Sequence, residues 1–210
     1  MYSPKYFTET DLIELDRLVE WNAFASLIST VDGQAYVSHI PVLYARDEDQ
    51  VVFRGHWAKP NPQWKGDLNA LLIIHGPNAY ISPSWYPDKE EKARVPTWNY
   101  AIAHIRGQLE ITHEENDLAA IVAELTETHE TNVGSDWEFE PETREDHRKQ
   151  LAGIVGFRLE AKQISMKFKL SQNHPEANID SVIEQLPNSN QHDGVVIASM
   201  MREQLNKSKS

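Results

Sequence analysis

The 210-residue chain contains no cysteine, which excludes disulfides and thiolate chemistry. It has no apolar run of about eighteen residues, so no membrane-spanning helix is expected. Its first residues, Met1-Tyr2-Ser3-Pro4-Lys5-Tyr6-Phe7, lack the basic-then-apolar layout of a signal peptide. A cytoplasmic location is therefore expected. Lysine and arginine form no concentrated run, and 20 cations against 32 carboxylates leave a net charge of −12. Nucleic-acid phosphate repels such a chain unless a basic face is strongly segregated. Neither GxGxxG nor GxxxxGK[ST] occurs, nor an HExxH helix, nor a GxSxG elbow. Repeats and low-complexity segments are absent as well.

What remains is the composition of a globular protein, 40% hydrophobic and 25% charged. Thr8, followed three residues on by Asp11, reads as the N-cap of a first helix, with Phe7 and Leu12 as a hydrophobic staple. Strands are expected at Ala23–Thr30, Ala35–Ala45 and Gln50–Gly55, the first two joined by the Asp32-Gly33 turn. Ala70–His75 reads as a buried strand ended by Gly76-Pro77-Asn78, and Ala79–Ser82 as the next. Pro83–Pro96 is a long loop with a charged middle, and Thr97–Thr112 the longest strand. Helices follow at Glu114–Glu130 and Pro141–Leu151, then a strand pair over Ile154–Leu170. Two helices, Ile179–Leu186 and Asp193–Asn206, precede a polar tail, Asn206–Ser210, expected to fray. Consecutive strands joined by short turns favour antiparallel pairing, and closure into a barrel removes exposed edges. The domain expected is residues 1–175, with a helical extension over 176–210.

Three clusters carry the chemistry. Arg54-Gly55-His56-Trp57-Ala58-Lys59-Pro60-Asn61-Pro62-Gln63-Trp64 packs two cations, a histidine, an amide and two tryptophans into a strand exit. Such a mixture suits an anionic ligand with an aromatic body: Arg54 and Lys59 can hold phosphate, and Gly55 permits close backbone approach. The same residues also read as a proline-stiffened connector pinned by tryptophans. Pro96-Thr97-Trp98-Asn99-Tyr100 offers donors and acceptors suited to a flavin's pyrimidine edge, with Tyr80–Tyr86 adding aromatics and hydroxyls beside a mobile loop. A core and rim rich in aromatics is the alternative there. Lys167-Phe168-Lys169-Leu170-Ser171-Gln172-Asn173 is a strand end with a polar tip, or a solvated edge protected by lysines. The nine histidines show no ligand spacing, so no metal site is expected.

Along the chain stand Met1-Tyr2-x-Pro4-x-x-Phe7, Ser38-His39-x-Pro41, Gly55-His56-x-Ala58-x-x-Asn61-Pro62-x-Trp64, Gly76-Pro77-x-Ala79 to Tyr86, Val95 to Tyr100, Ile154 to Phe157 and Lys169 to Asn173. In that order these pieces resemble the PaiB family, FMN-binding proteins described as negative regulators of protease synthesis and sporulation. The resemblance implies a mainly β (α+β) fold: a split β-barrel with peripheral helices, like pyridoxamine phosphate oxidase. It also implies a homodimer with FMN at the subunit interface. On that basis Arg54, His56, Lys59 and Asn61 fall to the phosphate, with Ser38 and His39 on the neighbouring strand. Thr97, Trp98 and Asn99 fall to the ring, and Lys169, Ser171 and Gln172 reach it from the partner.

The function implied is an FMN-bound transcriptional regulator. A flavin-dependent oxidoreductase or haem-handling protein is the alternative, and a barrel that has lost its flavin a third. The last two helices can pass for a helix-turn-helix, yet Glu176–Ser210 holds three cations against five carboxylates. Direct DNA binding is not expected from that balance.

Overall fold

The computed structural model describes residues 1–207. A 3₁₀ turn, Lys5–Phe7, leads into β1 (Thr8–Glu9) and α1 (Leu12–Trp21). Then come β2 (Phe24–Val31), β3 (Gln34–Pro41), β4 (Leu43–Asp47), β5 (Gln50–Ala58), a 3₁₀ turn (Pro62–Lys65) and β6 (Asn69–Ile81). After a 3₁₀ turn at Pro83–Trp85 follow β7 (Thr97–Thr112), α2 (Glu115–Val133), α3 (Glu145–Gln150), β8 (Ile154–Glu160) and β9 (Gln163–Lys169). The chain closes with α4 (Glu176–Gln185) and α5 (Gly194–Lys207). Residues 208–210 of the tail expected to fray lie outside the described residues, while Asn206 is still within α5. The strands divide between two compact units: residues 1–21, 75–103 and 165–210 form the first, and residues 22–74 and 104–164 the second. β6 and β7 each contribute to both.

The second unit is antiparallel. Asp32 and Gly33 both adopt positive φ (50° and 78°), the geometry a two-residue hairpin needs, and β2 pairs with β3 from Phe24↔Pro41 to Val31↔Gln34. β2 also pairs with β6, and the β4–β5 hairpin continues through β8 to β7. Pro41 ends β3, and the Val42 amide turns away to the Ala23 carbonyl (3.0 Å), so the single strand expected over Ala35–Ala45 is two strands with different partners. Leu27, Phe53, Trp57, Leu72, Phe157 and Leu159 are fully buried. α2 lays Ile121 and Leu125 against Leu43, and its C-terminus is capped by Gly134 at φ 73°. α3 begins at Glu145, four residues later than periodicity suggested.

In the first unit β9 pairs with β1 and β7. The N-cap of α1 is Asp11, not Thr8: Asp11 Oδ1 accepts the Ile13 amide (3.0 Å), while Thr8 lies in β1. β6 passes unbroken through Gly76-Pro77-Asn78. A Cβ at Gly76 would lie 2.8 Å from the Ala101 carbonyl oxygen, so this glycine serves close strand packing rather than a turn. The outer edge of β6 is satisfied by side chains from the α4–α5 connection. Asp193 Oδ2 accepts the Asn78 amide (3.0 Å), and Gln191 meets both the amide and the carbonyl of Tyr80 (2.6 and 2.9 Å). A proline is tolerated on such an edge because no ladder partner awaits its missing N–H. Arg17–Glu203 and Lys207–Glu14, each 2.8 Å, fasten α5 to α1.

Candidate functional site

In the second unit, strand alternation puts Arg54 and His56 on one face of β5 and Trp57 on the other. Arg54 stands opposite Arg158, and His56 opposite Gly156, on β8. The Arg54 guanidinium bonds Glu124 of α2 at 2.5 Å, and Arg158 reaches Glu110 (3.3 Å) and Glu160 (3.4 Å). A cavity of about 390 Å³ in this unit is lined by both arginines together with Thr112, Asp117 and Phe157. His56 is largely buried, which lowers its basicity, and its Nδ1 has no hydrogen-bond partner among the described residues. A Cβ on Gly55 would lie 2.8 Å from the Phe157 ring. The close approach expected at this glycine is therefore made by the protein's own core.

Beyond β5 the chain turns back on itself. The Lys59 amide donates to the Gly153 carbonyl (2.8 Å) and its Nζ to that of Ala152 (3.3 Å), leaving an exposed ammonium. Trp64 Nε1 donates to the Lys59 carbonyl (3.0 Å). Asn61 donates to Ser38 Oγ (2.9 Å), joining the loop to β3. His39, next on β3, is exposed, with Nδ1 3.0 Å from Ser26 Oγ. Gln63 was not singled out from sequence, yet it is the pin of this loop. Wholly buried, it accepts from Trp57 Nε1 (3.2 Å) and donates to the carbonyls of Leu27 (3.0 Å) and Tyr36 (3.3 Å).

In the first unit, the ring candidates are drawn together within one chain. Lys169 Nζ donates to Thr97 Oγ1 and to the Trp98 carbonyl, both at 2.6 Å. Partial burial, then the neighbouring Lys167, lowers the ammonium's pKa. Asn99, fully buried, donates to Ser171 Oγ (2.9 Å), and Ser171 holds a left-handed φ of 66°. Gln172 accepts the Leu170 amide (2.7 Å) and donates to the Phe168 carbonyl (2.6 Å), so its side chain stabilises its own strand end. Trp98 is about half exposed and meets the edge of Tyr80 (6.0 Å between centroids). The set thus presents one part-buried cation and an open aromatic surface, with the buried Asn99–Ser171 pair and Gln172 fixing the strand ends behind them. Among the described residues no group of three or more His, Cys, Asp or Glu is placed to hold a metal, and no helix is long and apolar enough to cross a membrane.

The family described as "Putative FMN-binding domain" matches residues 1–163. The protease synthase and sporulation protein PAI 2 of Bacillus subtilis (strain 168) is 35% identical over 213 aligned positions, covering 99% of each chain. Among solved structures, the FAD and heme binding protein from Mycobacterium smegmatis superposes with a TM-score of 0.53 at 17% identity, over 77% of this chain and 73% of the other. The flavocytochrome Anf3 from Azotobacter vinelandii gives 0.52 at 15% identity, over 80% and 72%. Likeness at such identity concerns the fold alone, and the fold is the one the sequence implied: an antiparallel, split-barrel β structure with peripheral helices.

Proposed function

The chain belongs to the FMN-binding domain family that includes the PaiB-type protein of Bacillus subtilis, and from that membership we propose that it is an FMN-binding regulator working as a homodimer. One observation carries the flavin reading: a single ammonium, Lys169, sits 2.6 Å from both Thr97 Oγ1 and the Trp98 carbonyl, beside an exposed indole. Bound flavin supplies redox chemistry; the chain's part is to hold it and set its electrostatic surroundings. Thr97, Trp98 and Lys169 serve the ring, with the buried Asn99–Ser171 pair positioning the two strand ends and Gln172 bonding the backbone on either side of Lys169. Lys169 is bonded to Thr97 and Trp98 of its own chain, which supports one protomer supplying this set as a block in place of a reach from the partner.

The phosphate falls to Lys59 and Arg54, with His56, Asn61, Ser38 and His39 beside them. Lys59 is the less committed of the two cations, its ammonium bonded among the described residues to the Ala152 carbonyl. Arg54 has to exchange Glu124 for phosphate, which suits a fork-shaped donor. The unpartnered Nδ1 of His56 is a further group that a ligand can satisfy.

The regulatory role does not pass through direct DNA contact. In the α4–α5 region Lys207 is already engaged by Glu14, and carboxylates outnumber cations. Titration of FMN into the protein, followed by flavin fluorescence, tests the proposal. Saturable quenching that weakens in a Lys169→Met variant is expected, and no binding up to high micromolar FMN would overturn it.

A further inference from the structure

In the first unit, residues 82–96 connect β6 to β7 and carry a charged middle, yet they are held firmly to the residues after β9. Tyr86 is 1% exposed, and its ring lies flat on that of His174, with centroids 4.8 Å apart and planes within 6°. The Arg94 guanidinium stands 5.5 Å from the Tyr86 ring, and its Nη1 is 3.5 Å from His174 Nδ1. The same guanidinium is ion-paired with Asp88, whose Oδ1 also accepts Asn178 Nδ2 of α4 (3.0 Å). Ser181 Oγ of α4 donates to the Trp85 carbonyl (2.6 Å). None of these contacts serves the phosphate or the ring.

An arginine only donates hydrogen bonds, so the Nδ1 it faces carries a lone pair, and the neutral imidazole has its proton on Nε2. A second proton has Nδ1 as its one destination. There the acceptor becomes a donor aimed at another donor, and two cations stand side by side. Tyr86 stacks on this ring, and the charges that act on it are Arg94 and Asp88 from the connection and Lys169 from β9, while the neutral Asn178 of α4 bonds Asp88. Two cations thus oppose one carboxylate, and that carboxylate is already paired with Arg94.

We propose that His174 is a proton-operated clasp: neutral, it holds the 82–96 connection shut, and protonated it releases Tyr86 and Arg94. Burial, then Arg94 and Lys169, lower the imidazole's pKa, so the clasp is closed at neutral pH and opens on acidification. Both ends of the ring set feel the opening. The His174 amide donates to the Ser171 carbonyl (2.9 Å), and Thr97 directly follows the connection. The clasp stands on its own contacts; only its effect on the ring set rests on the flavin reading.

Because the chain has no cysteine, an exposed Ala93→Cys substitution offers one site for a nitroxide label. The label is followed without added flavin from about pH 7.5 to about pH 4.5, with circular dichroism recorded to show that the fold persists. We expect a label immobile at neutral pH and mobile below the ordinary imidazole range. His174→Gln, which accepts but cannot be protonated, should remain closed throughout. In the wild-type chain, NMR should show the Tyr86 and Arg94 amides titrating with the midpoint of the His174 ring. A transition unchanged in His174→Gln, the lack of any transition in the native chain, or amide midpoints unrelated to that of the ring would overturn the proposal.

Discussion

Lys169 at the end of β9 and Thr97 at the start of β7 are joined by a 2.6 Å hydrogen bond, so one side chain fixes the relative position of two strand ends. Lys169→Met keeps the length of the side chain and removes its charge. A charge-assisted contact contributes about 1.5–3 kcal/mol, so FMN affinity should fall by about tenfold or more. The folded state should change by no more than about 1 kcal/mol, because burying an ammonium offsets what its bonds contribute. Parallel fluorescence titration and urea denaturation check both.

Gln63 governs the loop between β5 and β6. Gln63→Leu leaves the Trp57 indole N–H and the Leu27 carbonyl buried without their partner. Each such group costs about 1–3 kcal/mol, so a loss of about 2–4 kcal/mol is expected in urea denaturation.

Gly55→Ala places a methyl 2.8 Å from the Phe157 ring and 3.1 Å from the Pro41 carbonyl oxygen. Overpacking of this kind costs about 1–3 kcal/mol and should appear as a lowered melting temperature. An unchanged melting temperature would show that the space at Gly55 is open, as a ligand-facing glycine requires.

Asp88 gives the pH dependence a definite sign. Hydrogen bonding from Arg94, then Asn178, holds its carboxyl down at about 2. The folded value lies below the unfolded one of 3.8, so its contribution is complete above that value and is lost as pH falls through about 2. Asp88→Asn should therefore flatten stability against pH in this window relative to the wild-type chain, as measured by thermal unfolding at a series of acidic pH values.

Local signals made most of the fold legible. Asp32-Gly33 marked its hairpin, and the helical pattern of Glu114–Glu130 marked α2. Where the sequence misled, tertiary partners had overridden local punctuation. Gly76-Pro77-Asn78 reads as a strand stop, but Gln191 and Asp193, more than a hundred residues on, supply the edge contacts that let β6 continue. The candidate site shows the same division. Residue types that suit phosphate or a polar ring can be read from the motifs, but not that Arg54 is held by Glu124, nor that Gln172 bonds its own backbone. Gln63, Tyr86 and His174 could not be read as pins, because that role arises only once the fold buries the first two and stacks His174 flat on Tyr86.

The central claim is that this chain holds a flavin by its phosphate as well as by its ring, and the difference between FMN and riboflavin affinity isolates that phosphate. FMN should bind at least about tenfold more tightly than riboflavin, and the preference should shrink in Lys59→Ala and Arg54→Ala. Equal affinity for the two flavins in the wild-type chain would contradict the account.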